Sequence, residues 1–142
     1  MKTIILYAGV ILSLVLTGCG SDTKHDSDIS SSVKAPTSIS GKAIKGTITS
    51  GAGVLASSGR STFVASDTDT TYKVLGDGRN TVNSSGTFLY SAKDDKATIT
   101  FEDSVAGKGT YYFTFTSKNS GSYTAEIEQS PVAMQTGTFE LQ

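Results

Sequence analysis

The side chains of this 142-residue chain that could do chemistry are few and poorly grouped. His25 is the one histidine and Cys19 the one cysteine. A Ser-His-Asp triad needs a positioned imidazole base, and a zinc site needs several imidazole or thiolate ligands. His25, alone in a Ser- and Asp-rich stretch, meets neither need. Asp94-Asp95 lies between Lys93 and Lys96 in a turn signal, and Glu126 and Glu128 alternate with apolar residues on a wet face. Glycoside hydrolysis requires two acids converging from different elements, one with a raised pKa, and the spacing identifies no such pair. Asp67-Thr68-Asp69 and Asp77-Gly78-Arg79-Asn80 offer oxygen ligands of the kind calcium takes, but no EF-hand loop surrounds them. Asx-rich turns form equally well without an ion. Gly51-Ala52-Gly53-Val54-Leu55-Ala56 has the glycine spacing of a dinucleotide fingerprint, with Asp69 downstream. That motif works only where a helix N-terminus meets the pyrophosphate, and here Ser57-Ser58-Gly59-Arg60-Ser61 leads into a strand pattern. The expectation is a glycine-rich turn, no catalytic residue, no cofactor and no metal: the chain is not an enzyme.

The aromatic residues are better placed to recognise something. Tyr72, Phe88, Tyr90, Phe101, Tyr111, Phe113, Phe115, Tyr123 and Phe139 recur through the second half. They form either a solid core or the wall of a cavity. As candidate contacts to a ligand or partner we single out Tyr72, Tyr90, Tyr111, Tyr112, Phe113 and Tyr123. Tyr112 alternates against its neighbours and is the candidate for an exposed contact, since tyrosine presents an apolar body and a polar tip.

Strands must hold these residues. Ala97, Ile99 and Phe101 alternate with Thr98, Thr100 and Glu102; Tyr111, Phe113 and Phe115 alternate with Tyr112, Thr114 and Thr116. Tyr123, Ala125 and Ile127 alternate with Thr124, Glu126 and Glu128. Period-two alternation of this kind marks strands with one buried and one wet face. Ile44, Gly46 and Ile48, then Phe63 and Ala65, Tyr72 and Val74, and Phe88 and Tyr90 repeat it less cleanly. Turn signals separate them, among them Gly76-Asp77-Gly78, Asn83-Ser84-Ser85-Gly86 and Lys118-Asn119-Ser120-Gly121. Gly86-Thr87-Phe88, Gly109-Thr110-Tyr111 and Gly137-Thr138-Phe139 read as a turn glycine, a wet threonine and an inward aromatic. Short loops suit antiparallel neighbours, and a meander must hide its edges, most fully by closing. The reading is all-β: an antiparallel meander of eight to ten strands forming a small closed or partly closed barrel, with a β-sandwich as the alternative. The stretch SGTFLYSAKDDKATITF with GTYYFTFTSKNSGSYTAEI resembles meander repeats of small lipocalin-like (calycin or MoaF-like) β-barrel domains of exported bacterial proteins, over about residues 41–142.

The N-terminus carries an address. Lys2 precedes a thirteen-residue apolar run, Ile4 to Leu16, which ends in Leu16-Thr17-Gly18-Cys19. The run is too short to span a bilayer, which takes about 20 apolar residues, and has signal-peptide architecture. Leu-Thr-Gly-Cys resembles the lipobox of bacterial lipoproteins. That resemblance implies cleavage of residues 1–18 and lipidation of Cys19, whose acyl chains (palmitate among them) would hold the protein at a membrane. Gly20 follows the cysteine where an aspartate would favour inner-membrane retention, so an outer-membrane address is implied in a Gram-negative host.

Loss of Lys2 with the signal would reduce 12 basic side chains to 11, against 13 acidic, a net charge of −2. This near-balance supplies no basic footprint for nucleic acid. Residues 19–40 read as a lipidated cysteine and disordered tether, polar and without sustained periodicity, and residues 41–142 as one all-β domain. The expected function is a lipid-anchored, monomeric envelope protein whose non-enzymatic domain binds a protein partner, an envelope polymer or a small apolar ligand. A structural envelope or surface-matrix component is the alternative, and an exported hydrolase follows it.

Overall fold

The protein is described by a computed structural model covering residues 32–128 and 132–142. Cys19, Gly20, His25 and the N-terminal apolar run lie outside the described residues. Eight strands follow in order: β1 (Ala43–Gly51), β2 (Gly59–Ala65), β3 (Thr71–Gly76), β4 (Ser84–Lys93), β5 (Lys96–Asp103), β6 (Gly107–Phe115), β7 (Ser120–Ile127) and β8 (Ala133–Leu141). Each pairs antiparallel with the next, and β1 pairs with β8 to close the barrel. The closing seam runs from Ile44 opposite Leu141 to Gly51 opposite Gln135, with a register shift between Ile48 and Ser50. Closure on one continuous sheet rules out the sandwich alternative and leaves no free edge.

Alternation dictates what lies inside. Ile44, Phe63, Tyr72, Phe88, Ala97, Ile99, Phe101, Phe113, Phe115, Tyr123, Ala125, Ile127, Phe139 and Leu141 are buried in a single cluster. Threonines between them face out, as the period of two requires. Rings pack edge-on, tilted or stacked along the interior: Phe113 lies 5.0 Å from Phe139 edge-on, Phe101 lies 5.1 Å from Tyr111 tilted, and Phe63 stacks on Tyr72 at 4.5 Å.

Two readings of the sequence need correction. Gly86, Gly109 and Gly137 are not turn glycines; they sit within β4, β6 and β8. Each lies directly opposite an inward aromatic: Gly86 faces Tyr72, Gly109 faces Phe101, and Gly137 faces Tyr123. A Cβ on Gly137 would approach Tyr123 Cε1 to 2.7 Å, and one on Gly109 would approach Phe101 Cζ to 2.7 Å. An eight-stranded barrel has just enough width to be filled by side chains, so an aromatic ring needs a bare backbone across from it.

The second correction concerns the start of the domain, placed at residue 41 from sequence. Ala35 and Ile39 are buried, Ile39 to 1% exposure, and both belong to the core. The Ala35 amide donates to the Asp94 carbonyl at 2.7 Å, and the Tyr90 hydroxyl donates to the Pro36 carbonyl at 2.6 Å. Residues 33–40 therefore plug the barrel end that carries the β2–β3, β4–β5 and β6–β7 turns. The segment has no periodicity to announce it; what fixes it is a barrel end that would otherwise expose rings. The opposite end is the mouth, bordered among the described residues by the β1–β2, β3–β4 and β5–β6 loops and by Glu128 and Val132.

Candidate functional site

Asp103 ends β5 one inward step beyond Phe101, which brings a carboxylate into the mouth. Its Oδ2 accepts hydrogen bonds from the Tyr72 hydroxyl at 2.6 Å and the Ser84 hydroxyl at 2.8 Å. Its Oδ1 accepts from the amides of Val105 and Ala106 at 2.8 and 2.9 Å. Burial alone would raise the carboxyl pKa, but the Tyr72 hydroxyl, the two amides and Ser84 outweigh it and hold the group below its usual range. An ionised carboxylate has about four lone-pair sites, and all are taken. Asp103 is thus a knot tying β3, β4 and the β5–β6 loop together.

A second polar contact faces it. The Tyr123 hydroxyl donates to Gln135 Oε1 at 3.1 Å, and Gln135 Nε2 donates to the Ala56 carbonyl at 3.0 Å. The β1–β2 loop is held against β8 in this way. Between the two knots lies a cavity of about 150 Å³. Ile48, Leu55, Val74, Phe101 and Ile127 give it apolar walls, and Tyr72, Tyr111, Asp103, Ser84 and Gln135 give it polar points. A smaller gap of about 30 Å³ lies deeper, beside Phe63, Phe113 and Phe139. Drug-sized ligands fill pockets of about 300–1,000 Å³, so the mouth suits something smaller.

The rim is apolar. Val54, Val82, Val105 and Val132, one from each mouth loop, are 62%, 64%, 63% and 60% exposed. The first three also line the entrance of the cavity.

Of the residues singled out from sequence, Tyr72 and Tyr111 line the cavity and Phe113 lines the deeper gap. Tyr123 lines that gap and bonds Gln135. Tyr90 is at the plugged end, bonded to Pro36, and Tyr112 is 46% exposed on the outer wall. The structure therefore joins four of the six and separates two. Sequence reasoning missed Asp103 and Gln135. Their signal was register: Asp103 continues the inward row Ala97, Ile99, Phe101, and Gln135 stands between inward Ala133 and Gly137.

The other candidate chemistry is placed elsewhere. Gly51 to Ala56 runs from the end of β1 into the β1–β2 loop, followed by β2 rather than a helix. Asp77 Oδ1 accepts from the amides of Arg79, Asn80 and Thr81, and Oδ2 from the Arg60 amide. Those backbone bonds hold its pKa well below the usual carboxylate range and shape the β3–β4 loop. Asp94 and Asp95 form the β4–β5 turn, with Asp94 at φ +54°.

The chain matches no protein-family model, no curated protein and no solved structure.

Proposed function

We propose that the protein is a lipid-anchored bacterial envelope protein whose barrel binds a small, mostly apolar molecule in its mouth, without turning it over. The observation that carries this reading is the cavity: apolar walls with a few convergent polar groups, the usual composition of a ligand site. Binding rather than catalysis is supported by the state of its ionisable groups. Asp103 is saturated with donors, and burial, with the Asp103 hydrogen bond and charge behind it, pushes Tyr72 above the ordinary tyrosine range. Neither group is placed to exchange a proton near neutral pH. The lipid anchor rests on the Leu16-Thr17-Gly18-Cys19 pattern.

The test is a screen of uncharged aromatic fragments against the full chain and a Val74→Phe variant. Val74 borders both the cavity and the deeper gap, so the added ring fills the space. Fragments that bind the wild type and fail against a well-folded Val74→Phe barrel are the expected result. Equal binding by both proteins would refute the mouth as the site.

The ring of four exposed valines supports a second reading, a protein partner docked on the rim. Contiguous exposed apolar surface is the usual mark of such contacts. Val132→Asp, on the rim but outside the cavity lining, should then weaken partner capture while leaving fragment binding in place.

A further inference from the structure

We infer that the Tyr111 hydroxyl is the polar anchor of the mouth cavity, and that its ligand is a small uncharged molecule with an apolar body and one hydrogen-bond acceptor. This inference rests on the cavity being a ligand site. The interior tyrosines differ in what their hydroxyls do. Tyr72 donates to Asp103, Tyr90 to the Pro36 carbonyl, and Tyr123 to Gln135. Among the described residues the Tyr111 hydroxyl makes no hydrogen bond. Nor is it sealed in, because Asp69 Oδ1 is the single enclosed polar side-chain atom without a partner among those residues. Tyr111 lines the cavity and is half-buried deep in the barrel, its ring 5.1 Å from Phe101 and 5.8 Å from Tyr123. Its hydroxyl therefore opens onto the cavity, where a ligand that covers it without accepting its hydrogen bond loses free energy.

Three further features define what completes it. The Asp103 charge faces the same space; burial first, and that charge second, push Tyr111 up to about 12, so the hydroxyl remains a donor at neutral pH. An anion brought beside Asp103 would meet a like charge in a poorly solvated site. A cation would find no free lone pair on Asp103, whose four acceptor sites are filled. The remaining wall, Ile48, Leu55, Val74, Phe101 and Ile127, asks for an apolar body. A cavity of about 150 Å³ holds a molecule of benzene-like size.

Three probes of similar size separate these claims: acetophenone (an acceptor on an apolar body), isopropylbenzene (no acceptor) and benzoate (anionic). Binding to the full chain is read by NMR at the Leu55 and Ile127 methyls, so that uptake elsewhere is not counted. Acetophenone should bind about fivefold more tightly than isopropylbenzene, the scale of one net hydrogen bond, and benzoate should not bind. Tyr111→Phe keeps the ring and should erase the fivefold preference, with isopropylbenzene bound at least as tightly as by the wild type. A preference that survives Tyr111→Phe, or is absent from the wild type while isopropylbenzene binds, overturns the role of Tyr111 and leaves the cavity reading intact. Benzoate binding at those methyls overturns the exclusion of anions. Failure of all three probes overturns the cavity reading itself.

Discussion

Replacing Asp103 by Ala would strand four donors at once: the Tyr72 and Ser84 hydroxyls and the Val105 and Ala106 amides. A buried donor left without a partner costs about 1–3 kcal/mol, and water entering the mouth would restore some of these bonds. Asp103→Ala should therefore lose about 3 kcal/mol in urea unfolding, and Asp103→Asn, which keeps an acceptor, clearly less. The pH dependence has a defined sign. The folded pKa of Asp103 lies below its unfolded value of about 3.9. Its contribution is present above that value and lost as pH falls through the lower folded pKa. Tyr90 and Tyr111 are raised to about 12, in both cases chiefly by burial, so their contribution is complete below about pH 10 and lost as pH rises through about 12. Unfolding followed across pH should show both losses, and Asp103→Asn should flatten the acid side and, by removing a charge that helps raise Tyr111, lessen the alkaline loss. Asp103 was legible in the inward row that ends β5, had the row been extended by one step. The donors that saturate it come from β3, β4 and a loop, and no local pattern announces such a meeting.

Within the strands, the distribution of ring and glycine decides whether the barrel can close. Gly137→Ala places a methyl 2.3 Å from the Thr47 carbonyl oxygen and 2.7 Å from Tyr123 Cε1. Overpacking of this kind costs about 1–3 kcal/mol, and backbone contact on one side puts this position at the upper end. Thr138→Ala, one residue on and exposed, should cost under about 0.5 kcal/mol. Phe113→Ala removes a ring packed against Tyr111, Tyr123 and Phe139 and should cost about 3–5 kcal/mol. Equilibrium unfolding of the three variants checks the order. The strands themselves were legible, because Thr alternating with Phe, Tyr and Ile has one physical explanation. The glycines were not: a Gly before a strand-like pattern looks the same whether it makes a turn or yields room to a ring from the neighbouring strand. Pairing supplies that distinction, and pairing is non-local.

For the molecule as a whole, residues 33–40 plug one barrel end, and the cavity lies at the other among the described residues. Ile39 is the large side chain at the centre of the plug, and Ile39→Ala should cost about 2–5 kcal/mol. The described chain begins at this plugged end, opposite the mouth. If Cys19 carries the lipid, Cys19→Ser should move the protein out of the membrane fraction or leave it as an uncleaved precursor. A Cys19→Ser protein that matures normally and stays in the detergent phase would exclude the anchor. The barrel was legible from eight short-looped strands that must hide their edges. The plug was not, because residues 33–40 gain their place only from the end they cover. Mapping where a small ligand sits bears most directly on the function proposed. The full chain, titrated with acetophenone, should show chemical-shift changes gathered at Leu55, Val74, Ala106, Ile127 and Gln135, and Val74→Phe should remove them. Changes confined to the outer wall around Tyr112, or none at the mouth, would contradict a barrel that works by holding a ligand there.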